Sequence, residues 1–188
     1  MSAFTHRSLK GCSTQVQTHY FKGIVRPVLD YTSPLWDPHR QHLASTLEMV
    51  QRRSARRILQ DFCTTSSASE MVAKLHLEPL SQRRTADKAC MMYKVMHGLV
   101  DLSTPPGLLQ PVSRSTRGHK LKLQVPHTRT DVYRHSFFPS AIRLWNSLHH
   151  DSVSAPSLPA FKSSLKPCMV LPPSLSPPRT LLDFKDCF

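Results

Sequence analysis

Apolar residues recur at three- and four-residue steps through most of the chain, the period of one face of an α-helix, and only briefly alternate as a half-buried strand requires. Val16, Tyr20, Ile24 and Val28 mark a first helix from Ser13, a good N-cap, to about Asp30. Pro27 lies inside it and predicts a kink or an early end near Arg26, because its ring removes a donor and meets the carbonyl one turn back. Tyr31 to His39 reads as a tight loop in which Pro34 and Pro38 bracket Leu35 and Trp36, with the indole turned onto the core. The strongest helix comes next, from about His39 to Asp61, where Leu43, Leu47, Val50, Ser54 and Ile58 draw one stripe uninterrupted by Gly or Pro.

The Ser/Thr stretch 64–69 supplies N-caps for a short helix through Met71, Val72 and Leu75. Pro79 opens another, with Leu80, Ala86 or Ala89, Met92 or Tyr93, and Met96 on its buried side, Arg83, Arg84 and Lys88 on its outer face, and Gly98 as its stop. From Asp101 to about Thr130 the period fades, and KLKLQV predicts one short strand or an extended arm. A last strong helix covers Tyr133 to Leu148, with Phe137, Phe138 and Trp145 on its apolar face and a kink expected at Pro139. A smaller one brings Leu158, Phe161 and Leu165 together. The fold class that results is mainly α: a small irregular helical bundle with an extended basic arm and a disordered Pro-rich C-terminal tail. Its parts are a short basic segment at 1–12, a helical domain at 13–165 and a tail at 166–188 with five prolines.

Charge sharpens this picture. Twenty-five Lys and Arg against 12 Asp and Glu leave a net +13, a field that favours phosphate-rich partners or acidic surfaces without specifying sequence. Arg52, Arg53, Arg56 and Arg57 sit two and two, one turn apart, with Gln51 and Gln60 alongside and only Glu48 and Asp61 as flanking acids. Such a ridge suits bidentate phosphate contact, and equally a solvated face or pairing within the protein. Arg114, Arg117, His119, Lys120 and Lys122 form a second basic set in the arm, which reads either as a backbone-tracking arm or as a basic linker. The candidate nucleic-acid-binding residues are Arg52, Arg53, Arg56, Arg57, Arg83, Arg84, Lys88, Arg117, Lys120 and Lys122.

Catalytic patterns are missing. GxSxG, HExxH and P-loop motifs do not occur, and His149-His150 has no acid or Cys at ligand spacing. The five cysteines form no CxxC or paired framework, so they are expected to be reduced, with Cys63 and Cys90 structural beside apolar neighbours. No metal or cofactor is implied. The N-terminal residues lack the apolar core of a secretory signal and no run approaches about 18 apolar residues, so an intracellular protein, nuclear or cytoplasmic and without a membrane segment, is expected.

Several segments are nonetheless specific. LKGCSTQV, VRPVLDYTSPLWDP, LEMVQRRSARRI, LSQRRTADKACMMYKVMHGLVDL, STRGH, RTDVYRHSFFPSAIRLWNSL and LPAFKSSL succeed one another over residues 9–165. In that order they resemble the region beyond the palm in reverse transcriptases of non-LTR retrotransposons, the LINE-type jockey- and CR1-like elements. The resemblance implies a mainly helical part that includes the thumb and supports template and primer, with Arg52 to Arg57 on a helix facing nucleic acid and Trp36 and Trp145 in the core. It transfers no catalytic residue. The chain has no Asp-Asp pair to hold the two metal ions of the parent RNA-directed DNA polymerase. His149 replaces the proline that usually comes after WNSL, and the Pro-rich tail also departs from the family pattern. The function expected is therefore that of a catalytically incomplete fragment that binds RNA or DNA backbone non-specifically. The alternatives are a helical protein-interaction or structural module, a subunit that completes a palm supplied in trans, and an inactive translated relic.

Overall fold

Ser13 starts the first helix as its sequence position predicts: its hydroxyl accepts the Val16 N–H at 3.4 Å, and α1 runs over Thr14–Tyr20. The computed structural model describes residues 9–63, 65–102, 107–112, 119 and 121–168. Ahead of Pro27 the helix does not stop. It widens into a π turn, Phe21–Val25, in which the Arg26 N–H reaches back to the Phe21 carbonyl, and continues as α2, Arg26–Asp30. A widened turn gives the proline ring room where an α turn would press it against a carbonyl.

The face that α1 buries is not the expected one. Gln17, Thr18 and Phe21 point inward, while Val16, Ile24 and Val28 are about half exposed. The two polar residues are satisfied locally: the Gln17 amide donates to the Cys12 carbonyl at 2.9 Å, and the Thr18 hydroxyl donates to the Thr14 carbonyl at 2.7 Å. Burying them therefore leaves few unmet hydrogen bonds, the condition under which polar burial is cheap. The loop at Tyr31 to His39 contains a single short helix, α3 (Ser33–Trp36), and Trp36 does not enter the core. It is 39% exposed, and its indole N–H is tied to the Tyr31 carbonyl at 2.6 Å.

The long helix α4 spans Gln41–Leu59 and buries Gln51, Ser54, Ala55 and Ile58, whereas Leu43, at the head of the expected stripe, is exposed. Ser67 caps α5 (Ala68–Lys74), accepting the Glu70 N–H at 3.4 Å. Phe21, Ala55, Ile58, Met71, Leu75 and Leu77 close one hydrophobic cluster.

Helix α6, Leu80–Met96, joins this part to the rest. The Glu48 carboxylate of α4 caps its first turn by accepting the Ser81 N–H at 2.8 Å, and the Gln51 amide donates to the Glu78 carbonyl just ahead of it at 3.0 Å. Its end matches the Gly98 expectation: with φ at +63°, Gly98 lets its own N–H bond Val95 and the Leu99 N–H bond Lys94, satisfying carbonyls of the last turn. Its second half supplies Ala89, Cys90, Met92 and Tyr93 to a second cluster, completed by Leu123, Ala141, Ile142, Trp145, Val153, Phe161 and Leu165.

The expected last strong helix is two elements. Thr130 caps a single turn, α7 (Asp131–Arg134), and the chain breaks at His135 and Ser136 before α8 (Phe137–Ser147). Pro139 is the third residue of α8, in the first turn, where N–H groups have no helical acceptor; the proline costs nothing there and no kink is needed. A short turn, α9 (His150–Val153), leads to α10 (Leu158–Cys168), which buries Phe161 and Leu165 and runs slightly past the expected end. The rest of the Pro-rich tail, 169–188, lies outside the described residues. Among the described residues no helix is long and apolar enough to cross a membrane.

The arm is held by α8. Both edges of Leu123 meet the Asn146 side chain, its N–H at 2.9 Å and its carbonyl at 2.7 Å, and the Trp145 indole donates to the Leu121 carbonyl at 2.9 Å. On its other side Leu123 forms an isolated antiparallel bridge with Pro111. Residues 121–125 of the arm are therefore extended as predicted, but pinned.

Candidate nucleic-acid interface

The four arginines of α4 do not form one uniform ridge. A 100° step per residue separates Arg52 from Arg53, and both lie away from the buried Gln51, Ser54 and Ile58. They are exposed, and no acid among the described residues forms an ion pair with either. Arg56 is half-buried and reaches along the helix end, donating to the Cys63 and Ser66 carbonyls, each at 3.3 Å. Arg57 is also half-buried and has contacts of its own. Of the two glutamines placed beside the ridge, Gln51 is buried under it and only Gln60 is exposed.

Asp61 lies just past the end of α4. Its carboxylate accepts the Cys63 N–H at 3.1 Å, and a hydrogen bond with Ser66 together with this one holds the carboxyl below its usual range. Phe62 stands between Asp61 and Cys63 with 65% of its surface exposed. Cys63 is exposed as well, contrary to its expected structural place, while Cys90 is buried and its thiol is pushed up by that burial.

The cations of α6 face inward rather than outward. Arg84 is buried and donates to Asp37 at 2.9 Å; Lys88 meets the other oxygen of the same carboxylate at 2.7 Å. Arg83 makes two bonds to one oxygen of Asp30, at 2.8 and 2.9 Å, and a longer one to Glu78 at 3.3 Å. Burial opposes the Arg83 charge, but the Asp30 hydrogen bond and field outweigh it and raise the guanidinium's proton affinity. Burial pushes the neighbouring Asp87 carboxyl up, against the pull of Arg83 and a 3.4 Å bond from the Ser33 hydroxyl. Sequence spacing places these cations on one helix face. The signal that they are structural is the pair of acids, Asp30 and Asp37, that brackets the loop packed against them.

In the second basic set, His119 is buried and not part of a solvated arm. Its Nε2 lies 3.0 Å from the Trp145 carbonyl, which accepts, so that nitrogen carries the proton, and Nδ1 is buried without a partner among the described residues. Lys122 is half-buried and has contacts of its own. Arg114, Arg117 and Lys120 lie outside the described residues.

His149 and His150 are exposed, and His149 lies 3.2 Å from the equally exposed Asp151. Among the described residues no three His, Cys, Asp or Glu side chains converge as a metal site would need. No family model matches the chain, and neither a curated protein nor a solved structure shows significant similarity to it.

Proposed function

We propose that the chain is the helical post-palm part of a non-LTR retrotransposon reverse transcriptase, without polymerase chemistry of its own, and that it binds RNA or DNA backbone non-specifically through α4. The observation that supports this reading best is the contrast among its cations. Arg83, Arg84 and Lys88 are consumed by acids, whereas Arg52 and Arg53 stand exposed on a 19-residue helix and form no ion pair with an acid among the described residues. Exposed guanidinium groups are suited to phosphate contact, and the surplus of +13 adds long-range attraction.

Binding to a labelled RNA hairpin, measured over a salt series, tests the reading. Each phosphate contact contributes about 0.7 to 0.9 to the slope of log affinity against log salt, so Arg52→Gln with Arg53→Gln should reduce that slope by roughly 1.5. An unchanged slope defeats the assignment to α4.

A protein-interaction reading has its own support. Val16, Ile24, Val28 and Leu35 are all exposed within the first helical segments, and apolar surface of this kind marks contact sites when it is contiguous. A palm supplied in trans is one partner of that chemistry. A pull-down that survives nuclease treatment favours this reading over the first.

A further inference from the structure

We infer that the α4 end is a platform for single-stranded polynucleotide, with Phe62 stacking on one unpaired base while Arg52 and Arg53 meet the adjoining phosphates. The inference rests on the nucleic-acid reading and names its substrate class. Three observations carry it. Phe62 is an aromatic side chain that is 65% exposed although it lies next to a hydrophobic cluster in which Ile58 and Leu59 take part. The backbone next to it is held at Cys63, whose carbonyl accepts from Arg56 and whose N–H donates to Asp61. The same Arg56 stands one helical turn, about 5.4 Å along the axis, from Arg52 and Arg53.

An exposed aromatic ring just past the end of a helix that carries exposed guanidinium groups matches the two needs of single-strand binding, a surface for a base and cations for the backbone. A duplex keeps its bases stacked on one another and gains nothing from the phenyl ring. Arg56, spent on the loop, acts here as a positioning residue.

The test compares a U-rich RNA strand, the corresponding DNA strand and a duplex of equal length, each binding the full chain by fluorescence anisotropy. Phe62→Ala should weaken both single strands on the order of tenfold and leave the duplex unchanged. Phe62→Trp should keep the affinity, and its added fluorescence should fall as the strand binds. Because Phe62 is exposed, neither variant threatens the fold, and circular dichroism checks this. Equal affinities of Phe62→Ala and wild type for the single strands overturn the inference, as does an equal loss on strand and duplex. If the Arg52→Gln/Arg53→Gln pair still lowers the salt slope in that case, the nucleic-acid reading stands without the platform. If the wild type binds none of the three probes, both fall.

Discussion

Gln60 and His76 end α4 and α5 with φ at 53° and 50°, in the left-handed region that costs any side chain about 1 kcal/mol or more and that Gly98 enters freely after α6. At both positions the two reverse-turn hydrogen bonds of a glycine stop are made: Gln60 to Arg57 and Asp61 to Arg56, then His76 to Ala73 and Leu77 to Val72. Gln60 is exposed, so its side chain contributes little in return. Gln60→Gly should therefore stabilise the protein by about 0.5–1 kcal/mol, raising the melting temperature by about 1–4 °C. A thermal scan in which the variant melts at or below wild type contradicts the assigned geometry. From sequence, Gly98 is a readable stop, while Gln60 and His76 are not, because nothing in their chemistry favours a left-handed turn.

Most elements are legible because helical period and capping residues act locally. Ser13, Ser67 and Pro79 sit where the chain needs them, and α4 and α10 fall within two or three residues of their expected bounds. What local pattern misses is which face a neighbour covers. Along α1, the π turn and α2 the apolar count favours Val16, Ile24 and Val28, yet Gln17 and Thr18 are the ones buried, with nearby carbonyls satisfying them. The arm shows the same limit: its sequence predicts the extended backbone at 121–125, but not that the α8 side chains Asn146 and Trp145 hold one of its edges. Asn146 takes the role of a neighbouring strand, so Asn146→Ala should remove two hydrogen bonds and cost about 2 kcal/mol. Amide exchange at Leu123 should accelerate while α6 amides keep their protection; an unchanged Leu123 rate contradicts the clamp.

Two hydrophobic clusters share one molecule through α6, and the joint between them is ionic where a larger core would be apolar. Asp37 is the critical acid, since it compensates the buried Arg84 and Lys88 together. Removing one partner of a buried pair leaves the other charge uncompensated, and Asp37→Ala should cost about 3–5 kcal/mol, more than Arg84→Met, which removes the buried cation instead. Denaturant titrations of the two variants decide between them, and the opposite ranking would show that Arg84 is solvated. The ionic joint also explains why the candidate site is only half legible in the sequence. Arg52 and Arg83 look equivalent in a charge count, and only the fold reveals that one faces solvent and the other Asp30.

The wide turn upstream sets the phase at which Asp30 meets Arg83. Between Ser13 and Asp30 the helix changes its bond spacing at Phe21–Val25, and this shifts the angular phase of every later residue about the axis. The meeting of Asp30 with α6 thus depends on how many residues the turn contains as much as on their chemistry. Register along α1 and α2 is a matter of chain length, and a gain or loss of one residue there would be felt 53 positions away at the ionic joint.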